Sequence, residues 1–134
     1  MTNLFSNQLP ERLDRELKVA DSLGINPLKV GSPEFDKIIN DDIVKWAITI
    51  EGQLLFIPKF VNGQEIYHTI ITRGQPVLAA GEANIIGSKG KYLLLNISNH
   101  SGHFQTGRNA LEIGINAFKQ EGIDTTKADI EYTE

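Results

Sequence analysis

The feature that most constrains this chain is a double change of hydrophobic period. The spacing is helical up to Asp41-Asp42, strand-like from there to about Phe104, and helical again afterwards. Leu13, Leu17, Ala20 and Leu23 recur at helical spacing with charged residues between them, which predicts a surface helix with one buried stripe, stopped by Gly24. Ser32-Pro33-Glu34 sets a favoured N-cap residue before a proline at the first helical position. A short helix is therefore expected through about Ile39, with Phe35, Ile38 and Ile39 toward the core.

Beyond Asp42 come β-branched and aromatic runs at Val44 to Ile50, Leu54 to Pro58, Glu65 to Thr72, Pro76 to Ile86 and Lys91 to Ser98. They are separated by the turn signals Glu51-Gly52, Asn62-Gly63, Arg73-Gly74 and Gly87-Ser88-Lys89-Gly90, connections short enough to predict an antiparallel sheet of about five strands. Gly81, inside Ala79-Ala80-Gly81-Glu82, implies a bulge or a point where another backbone or a ligand comes close. From about Thr106, Ala110, Ile113, Ala117 and Phe118 share one helix side and Gly122 stands as the C-cap. The alternating Ala128 to Tyr132 is expected to add a last edge strand.

The predicted class is α+β: a mainly antiparallel sheet with an N-terminal helical segment and a C-terminal helix packed on it. At 134 residues the chain has the size of one domain, divided into a helical segment 1–42, a sheet 43–104 and a closing helix with edge strand 105–134. Neither a long apolar run nor a basic-then-apolar start is present, so no membrane span and no signal peptide are expected. The absence of cysteine excludes disulfides and thiolate metal sites and leaves core packing to supply stability. A net charge of -4 argues against a broad nucleic-acid footprint but leaves room for a local basic site.

All three histidines lie in or directly after the sheet: His68 within a predicted strand, then His100 and His103 in Asn99-His100-Ser101-Gly102-His103-Phe104. Two imidazoles can divide general-base and general-acid work near neutral pH, as in metal-independent ribonucleases that use the 2′-hydroxyl as nucleophile. On that reading His68, His103 and Ser101 are the catalytic candidates, and Thr69, Arg73, Gly81, Glu82 and Gly102 contact the substrate, with Arg73 near the phosphate. The alternative makes His68 a hydrogen-bonded structural residue and Ser101-Gly102-His103 a strand-to-helix loop in which serine and glycine serve the turn. Spacing does not separate the two. His100, His103 and Glu82 are the nearest approach to a metal site, and no metal or cofactor is expected. Nucleophile-elbow, Walker and dinucleotide-binding fingerprints are absent. Lys45, Lys59, Lys89 and Lys91 read as solvated faces of strands and turns.

The segments Val44-Lys45-Trp46-Ala47, Pro58-Lys59-Phe60-Val61-Asn62-Gly63, His68-Thr69, Gly74 to Glu82 and Ser98 to Phe104 together resemble a domain found at the C-terminus of Rhs-type and filamentous-haemagglutinin-type polymorphic toxins. The resemblance covers most of the chain. It implies a bacterial-competition effector delivered as part of a larger secreted protein into the target-cell cytoplasm, usually an enzyme and often a nuclease, with a cognate immunity protein as partner. A similar His, Ala-Ala-Gly and Ser-Gly-His-Tyr pattern occurs in plant IQ-motif calmodulin-binding proteins, outside their calmodulin-binding segment; no IQ consensus is visible here. The shared positions are His68, Gly74, Ala80, Gly81, Ser101, Gly102 and His103. Phe104 replaces the tyrosine and Thr106 the proline of the commoner pattern.

Three expectations follow. The first is a toxin-type ribonuclease acting on RNA or a nucleotide through His68 and His103. The second is an ADP-ribosyltransferase or NAD-cleaving domain, which Tyr67-His68-Thr69 resembles in form and which needs a glutamate such as Glu82, Glu131 or Glu134 at the nicotinamide ribose. The third is a non-catalytic protein-binding module, in which the Ser101-Gly102-His103 loop shapes the fold or an interface.

Overall fold

A 3-10 turn at Pro10–Arg12 leads into helix α1 (Leu13–Leu23) in the computed structural model, which describes residues 4–104 and 106–132. Gly24 ends α1 in the left-handed region at φ 69°, its N–H returning to the carbonyls of Ala20 and Asp21, as the stop signal requires. Helix α2 (Pro33–Asp41) begins where the Ser32 hydroxyl oxygen accepts from the Phe35 N–H at 3.1 Å, and it runs two residues past Ile39.

Strands β1 (Val44–Thr49) and β2 (Leu54–Pro58) form the first hairpin, in register from Val44 with Pro58 to Ile48 with Leu54. A small separate hairpin follows, β3 (Phe60–Val61) with β4 (Gln64–Glu65). Asn62 and Gly63 between them are both at positive φ, the turn that an Asn-Gly pair favours. The chain then departs from expectation. Glu65 to Thr72 is not a strand: pairing ends at Glu65, and His68 starts one helical turn, α3 (Thr69–Thr72). The reason is packing. Ile66, Ile70 and Ile71 are all buried in one cluster, whereas strand alternation would send Ile71 to the opposite side from the other two.

The remaining elements are β5 (Val77–Ser88), β6 (Lys91–Ser98), helix α4 (Arg108–Gln120), β7 (Ile123–Asp124) and β8 (Asp129–Glu131). The main sheet has the order β2-β1-β5-β6-β7, with β8 also pairing β6. Its four long strands are antiparallel, but β7 and β8 run parallel to β6, because a helical crossover through α4 returns the chain in the same direction. The class is α+β, and the expected last edge strand is β8.

Helices cover both sheet faces. Trp46 and Ile48 of β1 point to the face that holds Phe35 and Ile39 of α2 and Leu111 and Phe118 of α4, where the Trp46 and Phe118 rings meet edge-on at 5.6 Å. Ala47 and Ala80 meet Ala20 of α1, Ile57, Ile70 of α3 and Phe104 on the other. β1 is therefore buried along its whole length, and Lys45 is only 3% exposed rather than a solvated strand face. Gly81 is a point of close approach, not a bulge. A Cβ there would lie 1.8 Å from the Ser98 carbonyl oxygen, while the register shifts fall at Ile48/Thr49 and Asn84/Ile85. Among the described residues, no helix is long and apolar enough to cross a membrane.

Candidate functional site

The sheet register builds the floor of the site. Lys45 on β1 stands opposite Glu82 on β5, and Glu82 stands opposite Ser98 on β6, so the three share one face in a row. Two irregular segments supply the walls. The stretch from β4 into α3 brings Glu65, Tyr67 and His68, and the loop between β6 and α4 brings His100, Ser101, Gly102 and His103. Together with Leu9 and Arg12 they enclose a cleft of about 280 Å³.

His68 is 1% exposed and its Nε2–H donates to the Gly81 carbonyl at 2.7 Å. A carbonyl only accepts, so this bond assigns the proton to Nε2 and leaves Nδ1 unprotonated. Burial first, and then the Lys45 charge, push the His68 pKa down to about 3 against the opposing effect of the Gly81 bond. His68 is therefore neutral at physiological pH.

His103 is 2% exposed and has the opposite kind of neighbour. Its Nε2 lies 2.5 Å from the Glu16 Oε2, and the other carboxylate oxygen of Glu16 accepts from the Thr69 hydroxyl at 2.9 Å. The Tyr67 ring packs against the His103 ring with centroids 5.1 Å apart. A carboxylate at this distance orients the imidazole.

The Ser101 hydroxyl oxygen accepts from the backbone N–H groups of His103 and Phe104, at 3.3 and 3.2 Å, so Ser101 shapes the loop that carries His103 while also lining the cleft. Two cation and carboxylate pairs complete the site: Lys45 with Glu65 at 2.7 Å and Lys59 with Glu82 at 3.0 Å. Burial lowers the Lys45 pKa against the raising effect of Glu65. Burial works to raise Glu65, but the hydrogen bond and charge of Lys45 prevail and hold it below the usual carboxylate range.

Of the residues singled out from the sequence, His68, Ser101, His103, Glu82 and Gly102 line this one cleft. Gly81 reaches it through the carbonyl that holds His68, and Thr69 lies fully buried against Glu16. Ala80 is in the core, and Gly74 packs on the Leu13 side chain. Arg73 does not join them. It closes α3 at φ 54° with its side chain 61% exposed, 3.7 Å from Asp21, beside a separate depression lined by Thr49 and Gln75. A strand would have carried it along the sheet; the helical turn swings it away. Phe104 is buried in the apolar cluster and is not among the residues that line the cleft. Glu131 sits beside Ser98 on β8, outside the cleft lining, and Glu134 lies outside the described residues.

Sequence reasoning missed Glu16 and Glu65, read Lys45 and Lys59 as solvated faces, and gave Tyr67 only as part of the Tyr67-His68-Thr69 form. Glu16 carried a legible signal: three residues after Leu13 and four before Ala20, it falls on the buried stripe of α1. Lys59 is no solvated side chain but the partner of Glu82, whereas Lys89 and Lys91 are exposed as expected. Among the described residues no group of three or more histidine or acidic side chains converges as a metal-ligand set.

Fold and cleft define an α+β protein with two enclosed imidazoles on one face of a sheet. No family model, no curated protein and no solved structure matches the chain.

Proposed function

We propose that the chain is a toxin-type effector domain that cleaves RNA by metal-independent general acid-base chemistry in this cleft. The observation that carries the reading is that two imidazoles line one cavity, His68 with its Nε2 on the Gly81 carbonyl and its Nδ1 unprotonated, His103 hydrogen-bonded to Glu16. His68 takes the 2′-hydroxyl proton at Nδ1. The 2′-oxygen then bonds to phosphorus, the bond from phosphorus to the 5′-oxygen breaks, and His103 protonates that leaving oxygen while Glu16 steadies its imidazolium. The products are a 2′,3′-cyclic phosphate and a 5′-hydroxyl. The resemblance to polymorphic toxin domains supports the same reading and implies a cognate immunity protein.

Total RNA incubated with the protein in EDTA tests the proposal. Cleavage is expected, and His103→Ala, checked for folding by circular dichroism, is expected to lose about 10²- to 10⁴-fold in rate. Intact RNA with the folded wild type, or equal cleavage by both proteins, sinks it.

One observation favours a second reading, NAD cleavage or ADP-ribosyl transfer: Glu82, held by Lys59, lines the same cleft as Tyr67 and His68. NAD consumption without RNA cleavage selects that reading.

A further inference from the structure

We propose that Lys45 is the anion receptor of this cleft, and that the Glu65 carboxylate stands where a phosphoryl group of the substrate binds. The phosphoryl class rests on the ribonuclease reading; the receptor itself rests on geometry. That reading needs a cation beside the reacting phosphate, and Arg73, the residue expected to supply it, lies elsewhere.

The Lys45–Glu65 pair is unequal. The lysine side chain is 4% exposed and the glutamate side chain 39%. Lys45 sits on β1, paired on both sides by β2 and β5, whereas Glu65 ends a hairpin whose strands are two residues long. The cation is thus the enclosed partner and the anion the accessible one. An ammonium has three donors, and one of them is used on Glu65. Glu82, the other carboxylate beside Lys45, is engaged by Lys59.

A buried cation needs an anionic partner, so Glu65 can leave only if another anion replaces it. Position favours the substrate. The Lys45 ammonium is 5.1 Å from the centre of the Tyr67 ring, which in turn packs on His103, and Lys45 lines the same cleft as His68. An anion bound at Nζ therefore lies on the wall that carries both imidazoles.

The test is an NMR titration of the full chain with inorganic phosphate, comparing wild type, Glu65→Gln and Lys45→Met. Wild type is expected to bind phosphate weakly, with shifts centred on Lys45 and Tyr67. Glu65→Gln, which removes the competing charge at a part-exposed position, is expected to bind roughly tenfold more tightly, and folded Lys45→Met not at all. Binding by Glu65→Gln that is no tighter than wild type overturns the proposal, whether or not Lys45→Met folds. So do phosphate shifts that persist in folded Lys45→Met. Phosphate binding that follows the expected order while RNA stays intact leaves the receptor standing and removes the ribonuclease. RNA cleavage without the phosphate effect does the reverse.

Discussion

Glu16 Oε2 lies 2.5 Å from His103 Nε2, joining side chains 87 positions apart, both almost wholly enclosed. The same carboxylate holds Thr69 at the start of α3. One acidic side chain thus ties α1 to both irregular segments that wall the cleft.

Removing this carboxylate leaves an imidazole N–H and a hydroxyl buried without an acceptor. Glu16→Ala is expected to lower stability by about 3 kcal/mol or more in urea denaturation. Glu16→Gln, which retains an oxygen acceptor, is expected to lose less stability yet still reduce RNA cleavage, because a neutral amide does not stabilise the imidazolium. Full activity in Glu16→Gln would separate Glu16 from the chemistry.

The lowered pKa of His68 makes stability depend on pH. The unfolded chain protonates this residue below about 6.5 and the folded chain only near 3, so the unfolded state binds more protons between those values and stability falls as the pH falls. His68 alone accounts for about 2 kcal/mol lost between neutral pH and about pH 5. Denaturation midpoints across that range should show the slope, and His68→Gln should remove this share of it. An unchanged slope in the variant counts against the buried neutral imidazole.

Two glycines of the shared pattern should respond differently. At Gly81 a Cβ would lie 1.8 Å from the Ser98 carbonyl oxygen and 2.9 Å from the Trp46 ring, so Gly81→Ala must pry β5 from β6 and is expected to cost more than about 3 kcal/mol. At Gly102 a Cβ meets nothing within 4 Å and φ is not in the left-handed region, so Gly102→Ala should fall within about 0.5 kcal/mol of wild type. Thermal melts of both variants decide this.

Arg73 tests whether the cleft is as local as it looks. Its exposed pair with Asp21 is of the kind that contributes little, so Arg73→Ala should leave RNA cleavage unchanged and stability within about 1 kcal/mol. A large loss of cleavage would mean that the substrate reaches beyond the cleft into the depression beside Thr49.

Where structure depends on neighbours in sequence, the chain was legible. The Ser32 cap, the Gly24 stop, the Asn62-Gly63 turn and the strand Lys91 to Ser98 all stand as their residues predict. Each rests on a local backbone preference or a short-range hydrogen bond, which a sequence states directly. So does the clustering of His100, Ser101 and His103 at one sheet end.

The tertiary structure alone decided the rest. It turned the β-branched run after Glu65 into a helix, removed Arg73 from the histidines, buried Lys45 and brought Glu16 to His103. None of these follows from local propensity. Each depends on which helices close over the second face of the sheet, because that closure excludes water, and only once water is excluded must a charge find its partner across the fold.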